Sequence, residues 1–257
     1  MKVQIIGLGT VGMAQAVLLR CLGHEDIIGV DLDENKGSDS FLIKRSREYV
    51  DSDLTFVCTP ESEVSDVIEK LNSGKISGLP VIKSTVKPGT TNELMTKLNM
   101  HICHNPEFFR QNSSIEDSLN PSRIMIGACC EVHAKALVDL YSPLNRPLIV
   151  TSPTMSELAK LVVNALRSTI ITFWNEMNEL CSALDLDVKE LAKIVETDKA
   201  IGVYEGGNWG TRFFGVPFGG MCLPKDLRQL VEVFRSRQLN PLLFEVIEAY
   251  NKKLSGG

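Results

Sequence analysis

Apolar residues in the first half of the chain come in short runs that alternate with amphipathic stretches. The runs are VQIIGL (3–8), DIIGVD (26–31), LTFVCT (54–59), LPVIKS (79–84) and NMHICH (99–104). Each is short, rich in Val and Ile, and bounded by turn residues, which is the pattern of a buried strand. Helical patterns separate most of them, at 11–22, 61–71 and 91–98. SRIMIGAC (122–129) and RPLIV (146–150) predict two more strands around a helix at 131–141, and 40–47 predicts a small helix in the short link between Asp31 and Leu54. Such alternation predicts a parallel sheet with helices on its faces.

The texture changes near residue 151. From Thr154 to Ile201 there is neither Gly nor Pro. The span 155–184 predicts one helix of about 30 residues, about 45 Å long, and Ser152-Pro153-Thr154 supplies its starting chemistry. A second helix follows at 188–195, then a Gly-rich stretch at 202–220, then helices at 223–238 and 241–254. The organisation expected is a domain at 1–150 and a helical domain at 151–257. A long helix with apolar residues on more than one face seeks a partner, which predicts a homodimer built on 155–184.

Composition narrows the function classes. With 257 residues, 44% of them hydrophobic and 23% charged, the chain is ordinary globular protein, long enough to bury a core without staples. Its formal net charge of -5 argues against a nucleic-acid partner, which demands a basic face. No apolar run approaches the roughly 20 residues that span a bilayer, and the opening MKVQIIGLG lacks the pattern of a signal peptide. The seven cysteines are odd in number, scattered and without a CxxC pair, so a reducing, cytoplasmic compartment and small buried thiols are expected. The four histidines show no metal-ligand spacing with a Cys or with each other, so no metal site is expected. His24, His101 and His133 read as surface or turn residues; His104 stands apart because it precedes the NPEF segment.

Gly7-Leu8-Gly9-Thr10-Val11-Gly12 is a GxGxxG placed directly after a strand and opening a helix. Gly7 permits the tight turn, Gly9 lets the backbone approach a pyrophosphate, and Gly12 allows close packing of helix on strand. The helix N-terminus offers unpaired N–H groups to the phosphate. Asp31 ends the second strand, where an acid meets the ribose hydroxyls and repels a 2′-phosphate, so the cofactor predicted is NAD rather than NADP. The fold class is therefore α/β, a Rossmann-like doubly wound parallel sheet followed by an all-helical domain with one long helix.

Four further segments carry polar chemistry. They are Lys83-Ser84-Thr85-Val86-Lys87-Pro88-Gly89-Thr90-Thr91, Asn105-Pro106-Glu107-Phe108-Phe109-Arg110, the helical Ser156-Glu157-Leu158-Ala159-Lys160-Leu161-Val162-Val163-Asn164, and Phe218-Gly219-Gly220-Met221-Cys222-Leu223-Pro224-Lys225-Asp226. The first two follow strands, at the carboxyl ends where open α/β sheets bind ligands. Glu157, Lys160 and Asn164 share one helical face. Together with the glycine fingerprint, and in this order, the segments resemble the UDP-glucose/GDP-mannose dehydrogenase family, whose members oxidise the C6 alcohol of a nucleotide sugar to a carboxylate with NAD.

The resemblance implies roles for particular positions. Cys222 matches the nucleophile that carries a thiohemiacetal and then a thioester. Lys160 and Asn164 match the pair that stabilises oxyanion charge, Asp226 an acid associated with a catalytic water, Thr85 a water-positioning threonine, and Glu107 a carboxylate of the hydrolytic step. Cofactor contacts would extend from the glycine loop to Thr10, Val11, Lys36, Thr59, Pro60, Ser84, Thr85, Gln111 and Lys225. The chemistry is coherent, because a thiolate is the reactive form and Lys225 lies near Cys222 to favour it.

The chain departs from the family in three ways. Members continue for a further α/β domain that holds the nucleotide, so a separate chain supplying that domain, or a smaller sugar substrate, is an expectation. The segment between Asp31 and Leu54 is short. Gln111 and Asn112 stand where the family has Glu and Gly, and Ala200 where it has Arg. Two other readings stay open: a non-catalytic or partner-dependent NAD-binding relative, and a two-electron hydroxyacid dehydrogenase, which needs no thiol.

Overall fold

The computed structural model describes residues 1–37, 41–109, 113–197, 215–220 and 222–256. They divide into two compact units, Met1–Lys160 and Leu161–Gly257.

Among the described residues of the first unit, eight strands form one sheet. They are β1 (Val3–Ile6), β2 (Ile27–Val30), β3 (Lys44–Ser46), β4 (Leu54–Val57), β5 (Leu79–Ile82), β6 (Cys103–His104), β7 (Ile124–Gly127) and β8 (Leu148–Thr151). Their order is β3-β2-β1-β4-β5-β6-β7-β8. The chain winds outward from β1 in both directions, so the switch point lies between β1 and β4, where such sheets take a ligand at the carboxyl edge. Helices α1 (Thr10–Cys21), α2 (Glu61–Ser73), α3 (Thr90–Leu98), α4 (Ser114–Leu119) and α5 (Glu131–Tyr141) connect the strands.

Successive strand residues point to opposite faces, and the two faces make two cores. Ile5, Phe56 and Val81 pack with Leu19 of α1 and Leu137 and Tyr141 of α5. Ile6, Val57 and Ile82 pack with Ile68 and Leu71 of α2 and Leu94 of α3. Burial on both sides is why the central strands read as continuous apolar runs.

Three sequence expectations need correction. The described part of the expected helix at 40–47, residues 41–47, is not helical: Lys44–Ser46 pairs in parallel with β2. Gly29 lacks a Cβ where the Ile43 side chain enters, 2.7 Å from the place a Cβ would take, so Ile43 anchors the segment to the sheet while its charged neighbours guard the edge. The sheet is not wholly parallel, because β6 and β7 run antiparallel at the pair His104↔Gly127. The span 99–104 yields strand only at Cys103–His104, since Asn99 adopts a left-handed conformation (φ 49°) that ends α3.

The long helix α6 (Pro153–Ala183) has 31 residues. It starts in the first unit and continues through the second, which also holds α7 (Val188–Val195), α8 (Leu223–Ser236) and α9 (Leu242–Leu254). Asp187 caps α7 by accepting the Lys189 N–H at 2.8 Å. Trp174 and Cys181 of α6 pack on Val188 and Ala192 of α7.

Candidate active site

The loop from β1 into α1 shows why each glycine is needed. Gly7 has φ +89°, and a Cβ there would lie 2.8 Å from the Cys58 carbonyl. A Cβ on Gly12 would lie 1.9 Å from Gly7 O. Gly9 differs: nothing lies within 4 Å of its Cβ position. It is the N-cap of α1, where no side chain caps the helix and Thr10 and Val11 make the first turn. The uncapped N–H groups therefore face open space of the kind a phosphate fills.

Asp31 closes the other side of this loop. Its Oδ2 accepts Leu8 N–H at 2.7 Å and its Oδ1 accepts Asp33 N–H at 2.9 Å. Lys36 stands 3.9 Å from Asp31 Oδ2. Carboxylate oxygens accept more than one bond each, so lone pairs remain for ribose hydroxyls. Thr59 and Pro60 follow β4, and Ser84 Oγ donates to the Thr59 carbonyl at 2.6 Å. Thr59 Oγ1 is buried without a hydrogen-bond partner among the described residues. An open glycine edge, an uncapped helix end, an acid and an orphaned hydroxyl fit NAD.

At the ends of β5 and β6 lies a buried polar network that sequence reading underrated. Lys83 is buried and donates to Asn105 Oδ1 at 2.8 Å, and it pairs with the Glu107 carboxylate. Tyr141 OH donates to the same Asn105 oxygen at 2.6 Å and accepts from Gln15 Nε2 at 3.2 Å. Burial works to lower the Lys83 pKa, but the Glu107 carboxylate overrides it and holds the ammonium above the ordinary lysine value. A buried cation must be paired, so Lys83 fixes Glu107 in place. The signal was there: a lysine directly after the apolar run LPVI. Thr85 follows, partly buried beyond β5.

Phe108 sits between two cations, with Arg123 4.4 Å and Lys160 5.3 Å from its ring centre. This brings Lys160 beside the NPEF segment. His104 is buried, and burial holds its imidazole down to about 3. Its Nε2 donates to the Ser84 carbonyl at 3.3 Å and its Nδ1 accepts from Ser156 Oγ at 2.9 Å.

Glu157 was read only as a face-mate of Lys160. Its Oε2 accepts Gly89 N–H at 2.6 Å, and its Oε1 accepts Thr91 N–H at 2.8 Å and Thr91 Oγ–H at 2.5 Å. The carboxylate thus caps the start of α3 and fixes the turn that follows Thr85. Burial pushes its pKa up, and the bonds from Thr91 and Gly89 offset part of that.

In the second unit, Cys222 is the exposed N-cap residue of α8. Its carbonyl accepts Asp226 N–H at 2.9 Å, so Cys222, Lys225 and Asp226 share the first turn. Asp226 is buried, and its Oδ2 accepts Asn164 Nδ2 at 2.5 Å. Lys225 Nζ lies 3.2 Å from Oδ1, yet that oxygen accepts no aligned hydrogen bond among the described residues. Two asparagines hold the approach to Cys222. Asn175 exchanges bonds with the Val216 backbone at 3.0 and 3.2 Å, and Asn251 does so with Phe218 at 2.8 and 2.9 Å. Isolated asparagines on helices gave no sequence signal for this.

Gln111, Asn112 and Ala200 lie outside the described residues. The histidines and cysteines do cluster, for His101, Cys129, Cys130 and His133 bring their ligand atoms within 4.8 Å of one another. Cys130 and His133 are three apart at the start of one helix, whereas His101 is too distant in the chain to be seen from sequence.

Two family models match. Residues 44–145 match the NAD binding domain of the UDP-glucose/GDP-mannose dehydrogenase family, and 154–253 match its central domain. A UDP-glucose 6-dehydrogenase of Rickettsia bellii is 30% identical, with 98% of this chain aligned to 67% of that protein. The chain thus spans about two-thirds of that relative's length. Among solved structures, a UDP-glucose dehydrogenase from the hyperthermophilic archaeon Pyrobaculum islandicum superposes with a TM-score of 0.86 at 26% identity, covering 98% of this chain and 68% of that one. A 3-hydroxyisobutyrate dehydrogenase of Mycobacterium tuberculosis shares the fold, with a TM-score of 0.79 at 14% identity, over 99% of this chain and 94% of its own. No helix among the described residues is long and apolar enough to cross a membrane.

Proposed function

The chain belongs to the UDP-glucose/GDP-mannose dehydrogenase family, and from that premise we propose that it oxidises the C6 alcohol of a UDP-glucose-like nucleotide sugar to the carboxylate through a covalent intermediate on Cys222. NAD, when bound, accepts a hydride in each of two oxidations. The observation that carries the reading is the first turn of α8, where exposed Cys222 precedes a buried Asp226 held by Asn164.

The roles follow from the chemistry of each group. The alcohol loses a hydride and a proton to become an aldehyde. Cys222 Sγ, as thiolate, the nucleophilic form of a cysteine, adds to the aldehyde carbon and gives a thiohemiacetal. Loss of the second hydride and a proton leaves a thioester. Water adds, the C–S bond breaks, and the thiolate is restored with the acid as product. Lys160 and Asn164 stabilise oxyanion charge, Asp226 orients water through the Oδ1 that faces Lys225, and Thr85 positions water. Glu107, held in place by its pairing with Lys83, is suited to accept a proton from water in hydrolysis.

The dimer belongs to the same proposal. Val162, Leu166, Phe173 and Leu180 of α6 are exposed and recur at intervals of four and seven residues. That is the stripe of a helix seeking its copy. Seven free cysteines suit a reducing cytoplasm.

The test is NADH formation with a panel of nucleotide sugars. Two NADH per acid are expected, and Cys222→Ser should stop acid formation while leaving NAD binding intact. Full acid production by Cys222→Ser would overturn the thioester route. NAD binding without any turnover would favour the non-catalytic or partner-dependent reading, and one NADH per oxidised product the hydroxyacid reading.

A further inference from the structure

We propose that His101, Cys129, Cys130 and His133 form a tetrahedral site for zinc, a structural centre separate from the active site. The antiparallel pairing of β6 and β7 creates it. At the pair His104↔Gly127 the strands run in opposite directions, and continuing that register sets His101 opposite Cys130. The residues before β6 thus meet the residues after β7. Cys130 is also the N-cap of α5, so the first turn of that helix returns His133 to the same place.

The distances suit the ion. His133 Nδ1 lies 3.1 Å from Cys129 Sγ and 3.3 Å from Cys130 Sγ. The His101 and His133 rings meet edge to face with centroids 4.9 Å apart. A tetrahedron with Zn–S of about 2.3 Å and Zn–N of about 2.0–2.1 Å has S···N edges of about 3.5 Å. The Cys129, Cys130 and His133 atoms therefore need to move by only a few tenths of an ångström, all four ligand atoms lie within 4.8 Å of one another, and the exposed His101 side chain has room to adjust.

The donor chemistry selects the metal. Two thiolates and two imidazoles form a Cys2His2 set, which takes zinc in a closed structural geometry. Two thiols release their protons on binding, so the filled centre is neutral and needs no further counter-charge where the ligands are partly buried. Cys103 Sγ lies 3.7 Å from Cys129 Sγ, placed to donate a weak hydrogen bond to that thiolate. The filled site clasps β6 to β7, a junction whose ladder is a single residue pair. It lies at the beginning of β6, whereas Asn105 and Glu107 follow the end of that strand.

The test uses the untagged full chain, purified under reducing conditions without chelator. Elemental analysis should find about one zinc per chain, and Cys129→Ser/Cys130→Ser should lose it. Cobalt exchanged into the site should give tetrahedral d–d bands and a thiolate-to-cobalt charge-transfer band, both absent in the double variant. His101→Ala changes an exposed side chain, so the chain should fold normally yet bind zinc at least about 10–100-fold more weakly. The proposal is overturned if zinc content is unchanged in the double variant, if bound cobalt shows no thiolate charge transfer, or if Cys129 of the purified chain proves to be in a disulfide. None of these readings depends on sugar oxidation.

Discussion

Asn164 and Asp226 join two helices of the second unit through one short bond, amide Nδ2 to carboxylate Oδ2 at 2.5 Å, with both side chains buried. The bond ties the long helix to the turn that presents Cys222. Its value lies in what its loss would leave behind. A buried carboxylate stripped of a donor costs about 1–3 kcal/mol or more. Asn164→Ala should therefore lower the unfolding free energy from urea titration by that amount. If Asn164 also holds oxyanion charge, kcat should fall about 10²–10³-fold. A stability loss with unchanged kcat would assign Asn164 to the scaffold alone.

Glu157 offers a second separable prediction. Its two oxygens accept three hydrogen bonds from Gly89 and Thr91 at the start of α3. Glu157→Gln replaces one acceptor with an NH2 group that faces a donor. The variant should lose about 1–3 kcal/mol, and amide exchange should rise at Gly89 and Thr91 before it rises in the sheet. Unchanged exchange at both amides would remove the capping role.

His104 makes stability depend on pH. Burial holds its pKa near 3 in the native state, against an ordinary histidine value of 6.5. Below about 6.5 the unfolded chain takes up a proton that the native chain refuses. Unfolding then binds a proton, so stability present above pH 6.5 is lost as pH falls toward 3, by at most about 1.4 kcal/mol per pH unit. Denaturant titrations between pH 6.5 and 5, above the carboxylate range, should show this slope. His104→Gln should flatten it by close to one proton, and an equal slope in both chains would place the titration elsewhere.

The sheet was legible in the sequence because its physics is local. Val3–Ile6 and Leu54–Val57 are buried on both faces and declare themselves as apolar runs, and Gly7, Gly9 and Gly12 declare a turn that only glycine makes. Family membership was legible through ordered motifs, those that hold Cys222, Lys160 and Asn164 among them, rather than through periodicity. What escaped was whatever depends on residues far apart in the chain. Lys44–Ser46 is polar enough to pass for a helix until Ile43 fills the space Gly29 leaves. Lys83 gains meaning only when Glu107 and Asn105 arrive from the next strand, and Glu157 only when it meets α3. The His101–Cys129 neighbourhood follows from one antiparallel pairing in an otherwise parallel sheet, which no local pattern announces.

The glycine loop allows cofactor binding to be separated from folding within six residues. A Cβ at Gly12 would sit 1.9 Å from the Gly7 carbonyl oxygen, and helix and loop cannot both stay in place. A Cβ at Gly9 meets nothing within 4 Å, and φ of -72° suits any residue. Gly12→Ala should therefore lower the melting temperature by several degrees, in the range that about 1–3 kcal/mol of overpacking strain produces. Gly9→Ala should melt like the parent chain while its methyl group intrudes where the pyrophosphate approaches, weakening NAD by about tenfold or more, which is about 1.4 kcal/mol. Melting curves and NAD titration by fluorescence distinguish the two. A Gly9→Ala chain that binds NAD as tightly as the parent would mean that the phosphates do not pass over this loop, and the cofactor assignment of Thr10, Val11 and Asp31 would fall with it.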